Sequence, residues 1–391
     1  MAWLAMVWLL QTAQPLVADP ANIDDAGTIT VTATRPSDLA AAAADCEKNR
    51  CPTRKDVAVT VSYASALFDA GDYREARRLL AAAVGRTKDA GRQEPLAVSQ
   101  LYAAQAALSM HDGDQNTTRE AVWASRNVLS DAPGVAALPR LTAEFRLADW
   151  QYRVGDNAGA AARYARIITD ANANAQPSIA DVASLRRAIT LNALGRRTES
   201  VALLEELAAR ADPDSAAVRR AALATAARQA FQAGDTAGSD GFASRLAASA
   251  AATEPLLVSA PPMPRPGVLA NNKFDPMIGM DRGARGADVF GLRWVDIGFW
   301  IKPDGRVEDV GILRGSAQLG WAQPLLGYLG GRRYSPFAER AADSIGRYRV
   351  ERYTLTADYV VPIGSLIRRR GRNPRFEMME MTAAPPAVAT Q

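Results

Sequence analysis

The chain has 391 residues, enough for two or three domains with separate cores. Apolar residues make up 48% and charged residues 23%, a globular balance that excludes a fibrous or largely disordered chain. The net charge is only +4 and is concentrated after residue 263, where 19 Lys/Arg accompany 13 Asp/Glu; we interpret this as an ordinary soluble surface and predict no nucleic-acid partner.

The chain begins with an apolar run. Residues 1–10 are almost entirely apolar, and small or turn-prone residues follow as far as Ala18. The run is shorter than the roughly 20 residues that span a bilayer, and it is typical of the apolar core of a signal peptide. We predict a signal peptide over residues 1–18 and export to the periplasm. No Lys or Arg precedes the run, so an atypical signal, a misplaced start or a buried N-terminal helix is the alternative.

Residues 19–56 are expected to form a flexible leader. A β-prone run within it consists of Thr28, Ile29, Thr30, Val31, Thr32 and Ala33. The leader also holds the only two cysteines, Cys46 and Cys51. In an exported protein such a close pair is most simply a disulfide that closes a short loop. A metal site is not expected, because the sole histidine, His111, is distant in sequence and no further thiol exists. His111 itself lies at a predicted hairpin turn and is expected to be a solvated surface residue.

Residues 57–252 carry a helical pattern that is interrupted at regular intervals by glycine. Apolar helical stretches end at Gly71, Gly113, Gly155, Gly195 and Gly234, which are 42, 42, 40 and 39 residues apart. Glycine can take the left-handed conformation that ends a helix, and a following Asp can cap the next one. The spacing therefore predicts an α-solenoid of five helical hairpins, or about ten antiparallel helices.

The first of these units carries a family resemblance. Residues 63–84, through Gly71-Asp72-Tyr73-Arg74-Glu75-Ala76, resemble a tetratricopeptide repeat. The period near 40 exceeds the 34 residues of that family, so we describe the repeats as tetratricopeptide-like. A proline-rich stretch over residues 253–267 follows and predicts a semi-rigid linker between domains.

The pattern changes to a period of two in residues 268–362. Val295, Ile297, Phe299 and Ile301 alternate with more polar neighbours, which predicts a strand with one buried face. A turn at residues 302–306, a return strand, a short helix near residues 321–329 and two further strands at residues 332–334 and 348–361 complete a small ββαβ domain. The fold class is α+β, and the Arg-rich residues 363–391 are expected to form a disordered basic tail.

The run from Trp294 to Asp358 resembles the C-terminal domain of TonB-type proteins. The resemblance rests on the Pro303-Asp304-Gly305-Arg306-Val307 turn, the apolar helix, and Arg332-Arg333-Tyr334-Ser335-Pro336. It implies that the sheet binds an extended segment of an outer-membrane transporter by strand addition. The implied partner-binding edge is the final strand, with Arg352, Tyr353, Thr354, Leu355, Thr356 and Tyr359. By the same resemblance, the run Thr28–Ala33 is similar to the short box by which such transporters engage TonB.

The sequence carries no signature of an enzyme. It has no phosphate-binding loop, no dinucleotide glycine fingerprint and no Gly-x-Ser-x-Gly motif. One histidine leaves little room for catalytic triads. We therefore predict a non-enzymatic periplasmic interaction scaffold for envelope proteins or peptides, with no cofactor, no metal and no small-molecule substrate. A purely structural envelope scaffold and a cell-wall hydrolase that uses carboxylates are the alternatives.

Overall fold

The computed structural model describes residues 35–248, 254–266, 292–338, 345–360, 369–370 and 374–382. The predicted signal peptide and the run Thr28–Ala33 lie outside these ranges. The described chain is mostly helical, and a small antiparallel sheet region follows the helices. None of its helices is both long enough and apolar enough to cross a membrane.

Ten helices form five consecutive hairpins. They are α2 (Thr53–Ala70) with α3 (Tyr73–Thr87), α4 (Pro95–Asp112) with α5 (Gln115–Ser130), α6 (Ala137–Arg153) with α7 (Asn157–Ala173), α8 (Pro177–Ala193) with α9 (Arg197–Ala208), and α10 (Ala216–Gln232) with α11 (Thr236–Ala248). The five predicted glycines all lie at the turns, with φ between 77° and 86°. In four turns the next residue is an aspartate, which accepts a hydrogen bond from the N–H three residues later. The predicted hairpins and their turn residues are thus confirmed.

The predicted flexible leader is corrected by a further helix. Helix α1 (Pro36–Asn49) precedes the first hairpin, and α2 already begins at Thr53. Pro36 occupies the first turn, where its missing N–H costs nothing, and the alanine run that follows has the highest helix propensity. Ala43 and Cys46 are buried, and Ala43 belongs to the apolar cluster of the first hairpin. The Cys46 and Cys51 sulfurs are bonded to each other, which joins the end of α1 to the start of α2.

The strands form one four-stranded sheet and two small pairs. Their bounds are β1 (Leu257–Ser259), β2 (Arg293–Ile301), β3 (Val307–Gly315), β4 (Arg333–Tyr334), β5 (Arg347–Thr356), β6 (Tyr359–Val360), β7 (Arg369–Arg370) and β8 (Arg375–Glu380), and helix α12 (Gln323–Gly330) lies between β3 and β4. The large sheet is antiparallel, in the order β3-β2-β5-β8. The small pairs are β1 with β4 and β6 with β7.

One face of the large sheet packs against α12. The predicted inward residues Val295, Ile297, Phe299 and Ile301 are fully buried there. Their partners in the apolar cluster include Trp321, Leu325, Leu329, Tyr353 and Phe376. Phe376 comes from β8 and stacks on Trp321, so the last strand belongs to the core of this domain.

Two segments that were predicted to lack strands, the proline-rich linker and the basic tail, each contain one. The proline-rich stretch contains β1, and its buried Val258 packs against residues of α10 and α11. The N–H of Ser335 donates to the Leu256 oxygen at 2.7 Å, which continues the β1–β4 pairing. The predicted disordered tail contains β8. Both corrections have the same cause, because each segment pairs with a strand that is distant in sequence, and local composition does not report such pairing.

Candidate functional site

The second face of the sheet packs against the solenoid. We call the edge of the solenoid that is formed by its five turn glycines the turn edge. The Trp294 ring of β2 lies against Gly71 of the first turn, in the space that a Cβ atom would need. The Ala357 carbonyl lies equally close to Gly113 of the second turn. The Gly113 oxygen accepts a hydrogen bond from the Tyr359 N–H at 3.3 Å. The prediction that β2 buries only one face was therefore wrong.

A buried ion pair fixes the sheet to the first hairpin. Arg352 of β5 donates to both carboxylate oxygens of Asp296 on β2, at 2.6 Å and 2.8 Å. It also donates to the Phe68 and Asp69 carbonyl oxygens in the last turn of α2. These oxygens lie at the negative end of the helix dipole, which favours a cation there. Burial alone would lower the pKa of Arg352, but the Asp296 carboxylate raises it above its usual value.

A second ion pair links the last strand to the third hairpin. Glu377 of β8 is fully buried and accepts from Arg153, the last residue of α6. It also accepts from Arg375 at 2.8 Å. Removal of the cation from such a buried pair strongly destabilises the folded protein, because it leaves the carboxylate charge without a partner. The tail strand is therefore held both by the sheet ladder and by the solenoid.

The C-terminal domain also contains a buried charge network near α10. Arg332 donates to Glu351 at 2.6 Å and to the Tyr353 hydroxyl at 2.9 Å. Burial lowers the pKa of Arg332, but the Glu351 carboxylate reverses this and raises it well above the usual value. Arg228 of α10 donates to the Leu257 oxygen of β1, and burial lowers its pKa to about 10. These groups are enclosed, which favours a structural role.

The sole histidine is buried at the same junction. His111 lies in the last turn of α4, and its ring contacts the Phe68 ring edge-on at 5.2 Å. Burial, together with the charges of Arg153 and Arg352, lowers its pKa to about 3. The imidazole is therefore neutral at physiological pH. The prediction of a solvated surface residue was therefore wrong, because the side chain is enclosed at the junction of solenoid and sheet.

The predicted partner-binding strand is not an edge of the sheet. Strand β5 pairs with β2 on one side and with β8 on the other. Of the predicted residues, Arg352, Tyr353, Thr354 and Thr356 are buried, Leu355 is partly buried, and Tyr359 lies beyond β5 in β6. The position next to β5 is taken by six residues of the same chain. This corrects the prediction, because the strand that closes the edge comes from the tail.

Strand β8 is the more regular of the two outer strands. The Met381 N–H donates to the Val350 oxygen at 2.7 Å, and alternate residues of a strand point to the same side. The backbone groups of Phe376, Met378 and Glu380 therefore point away from β5. Within the described ranges β8 pairs with β5 alone, without a register shift. Strand β3 has two register shifts and Asp309 at φ 51°, irregularities that protect a sheet edge.

Sequence reasoning missed the residues that join the two parts. Asp296, Glu377 and Arg153 carry no motif, because the pairs Asp296–Arg352 and Glu377–Arg153 join residues that are 56 and 224 positions apart in sequence. One signal was present, since Trp294 lies on the face of β2 that was expected to be exposed. A large aromatic side chain on such a face indicates a second packing surface. The described residues contain no group of three or more His, Cys, Asp or Glu that could hold a metal.

Comparisons with known proteins add a likeness to helical-repeat structures. Neither a protein-family model nor a curated protein sequence matches the chain. BtubC (BKLC) from P. vanneervenii aligns at 14% identity over 54% of this chain and 87% of that one, with a TM-score of 0.45. TPR-like repeats of a putative kinesin light chain from Podosopora anserina align at 18% identity over 56% and 97%, with a TM-score of 0.40.

A third similar structure is PilW, a type IV pilus biogenesis factor, at 16% identity over 49% of this chain and 77% of that one, with a TM-score of 0.35. These likenesses concern about half of the chain. The assignment of these helices to a helical-repeat solenoid rests on their own five hairpins, each of which turns at a glycine with a left-handed φ. The chain is a helical-repeat protein whose turn edge is partly covered by its own antiparallel sheet.

Proposed function

We propose that this protein is a periplasmic interaction scaffold that binds an extended segment of an envelope partner by adding it as a strand to β8. The observation that carries the proposal is β8 itself. It joins the sheet through six consecutive residue pairs with β5 and presents its own backbone groups at a regular outer edge. Main-chain hydrogen bonds at such an edge supply affinity without demanding particular side chains.

The resemblance of residues 294–358 to the TonB C-terminal domain supports the same mode of binding. The position next to β5, where that resemblance would place the partner, is filled by β8. A partner would therefore extend the sheet beyond β8. Displacement of β8 is disfavoured, since it would expose Phe376 and leave Glu377 without the Arg153 guanidinium.

The periplasmic location is part of the proposal. It rests on the apolar run at residues 1–10 and on the bond between Cys46 and Cys51, because disulfides persist mainly in oxidising compartments. We further propose that the partner belongs to a system for transport across the outer membrane. The run Thr28–Ala33, in which β-branched residues predominate, is the first segment to test as an added strand.

The test is binding of a fluorescent peptide of residues 24–36 to the full chain, followed by anisotropy. We expect saturable binding with a Kd in the micromolar range, and we expect Met378→Pro to weaken it more than tenfold. The Met378 N–H faces away from β5, so proline there removes the donor for a partner and spares the existing ladder. Met378→Ala is the matched control, because it shortens the same side chain and keeps the N–H. Equal binding by both variants would overturn strand addition at β8, and no binding to the wild type would overturn the assignment of the run Thr28–Ala33 as an added strand.

A further inference from the structure

The sheet covers only the first part of the turn edge. Trp294 and Ala357 lie against the first two turn glycines, Gly71 and Gly113. At Gly155, Gly195 and Gly234, no described atom outside the local backbone lies within 4 Å of the position that a Cβ would occupy. Among the described residues, the turn glycines are therefore covered at hairpins 1 and 2 and uncovered at hairpins 3 to 5.

The uncovered part carries three exposed apolar side chains. We call them the apolar row: Val154 is 44% exposed, Leu194 37% and Phe231 42%. Val154 and Leu194 directly precede their turn glycines, and Phe231 lies in the last turn of α10. Single exposed apolar residues are common on protein surfaces. All three lie at the same end of three successive first helices.

The apolar row begins where the sheet ends. Arg153, which binds Glu377 of β8, is the residue before Val154. A strand added to β8 would lie about 4.8 Å further along, and neighbouring helices pack about 8–10 Å apart. The added strand would therefore lie over the turn edge between hairpins 3 and 4. It would continue the interface that β2 and β5 make with hairpins 1 and 2.

We infer that the open edge of β8 and the apolar row form one composite surface for an extended polypeptide segment with apolar side chains at every second position. This inference rests on the proposed strand addition and specifies the chemistry of the partner. Alternate residues of β5 and β8 already face the solenoid, namely Arg352, Thr354 and Glu377. The corresponding residues of an added strand face Val154 and Leu194. Its main chain pairs with β8, and its apolar side chains bury the row.

The experiment is selection of a displayed library of random twelve-residue peptides on the immobilised full chain. Enriched peptides are then synthesised, and their affinities for the wild type and three variants are measured. Leu194→Asp places a carboxylate in the row and should weaken binding at least tenfold. Leu138→Asp is the matched control, since Leu138 is 46% exposed but lies at the start of α6, at the end of that helix remote from the turn.

The variants distinguish the two ideas. The inference predicts peptides that alternate apolar and polar residues, bind Leu138→Asp normally, and lose affinity with both Leu194→Asp and Met378→Pro. Peptides that respond to Met378→Pro but bind Leu194→Asp normally would overturn the composite surface and leave strand addition intact. A selection that enriches no peptide, or peptides indifferent to Met378→Pro, would overturn strand addition and the composite surface together.

Discussion

The burial of His111 predicts a specific loss of stability in mild acid. The imidazole is 2% exposed, contacts the Phe68 ring, and experiences the charges of Arg153 and Arg352. Its pKa is lowered from 6.5 to about 3 in the folded chain. The environment responsible includes Arg352, which comes from the sheet. The titration of this residue therefore reports on the packing of the sheet against the solenoid.

The sign and size of the effect follow from proton linkage. Well above pH 6.5 the histidine is neutral in both the folded and the unfolded state. As the pH falls towards 3, the unfolded chain binds a proton that the folded chain does not, so the free energy of unfolding decreases. Between pH 7 and pH 5 this difference amounts to about 2 kcal/mol, from an unfolded pKa of 6.5. Because this is the only histidine, one substitution removes the whole histidine contribution.

The assay is urea unfolding at pH 7 and pH 5, followed by tryptophan fluorescence, for the wild type and for His111→Gln. Glutamine is similar in size and does not titrate. Carboxylates titrate in both proteins, so the comparison between them isolates the histidine. The wild type should lose about 2 kcal/mol more than the variant between the two pH values. Parallel losses would refute the reasoning and show that His111 is accessible to protons in the folded chain.

The remaining predictions concern the ion pair, the turns and export. Asp296→Asn leaves Arg352 buried without an anion and should lower the free energy of unfolding by about 3–5 kcal/mol. Arg314→Ala removes the half-exposed partner of the same carboxylate and should cost less than about 1 kcal/mol; equal losses in urea unfolding would contradict the burial of the pair. Gly155→Val should cost about 1 kcal/mol or more through its left-handed φ. Gly71→Val should cost more, because the Trp294 ring must also move, and similar melting temperatures would argue against that contact. Protein recovered from the periplasm should begin at Asp19 and show no free thiol by mass spectrometry until reduction; an unprocessed N-terminus would contradict export, and free thiols would contradict the bridge.

The local features of the fold could be predicted from the sequence. A glycine followed by aspartate at intervals near 40 residues specifies a turn wherever it occurs, because left-handed φ and helix capping depend on neighbouring residues alone. The hairpin between β2 and β3 could also be predicted, from the alternation of Val295 and Ile297 with more polar neighbours and from the Pro303–Gly305 turn. Helix α1 was missed because its alanine run has high helix propensity but little apolar periodicity.

The arrangement of the site could not be predicted, because it depends on pairing between distant segments. The Arg375–Glu380 strand has no clear alternation of apolar and polar residues, and its pairing with β5 is decided by Phe376 in the core and Glu377 at the solenoid. The wrong choice of partner-binding edge follows directly from this omission. The face of β2 that contains Asp296 was taken as exposed for a related reason, since its contact with α2 is made through Arg352, which comes from β5.

The central claim is that the C-terminal sheet packs on the turn edge of the solenoid, and a double-mutant cycle across that interface tests it most directly. Arg153 and Glu377 are 224 residues apart in sequence and form a buried pair between α6 and β8. The free energy of unfolding is measured for the wild type, Arg153→Ala, Glu377→Gln and the double variant. We expect a coupling energy of about 0.5–3 kcal/mol, the range for residues in one ion-pair network. Additive losses within about 0.3 kcal/mol would mean that the residues do not meet, and would contradict the packing of the sheet on the solenoid.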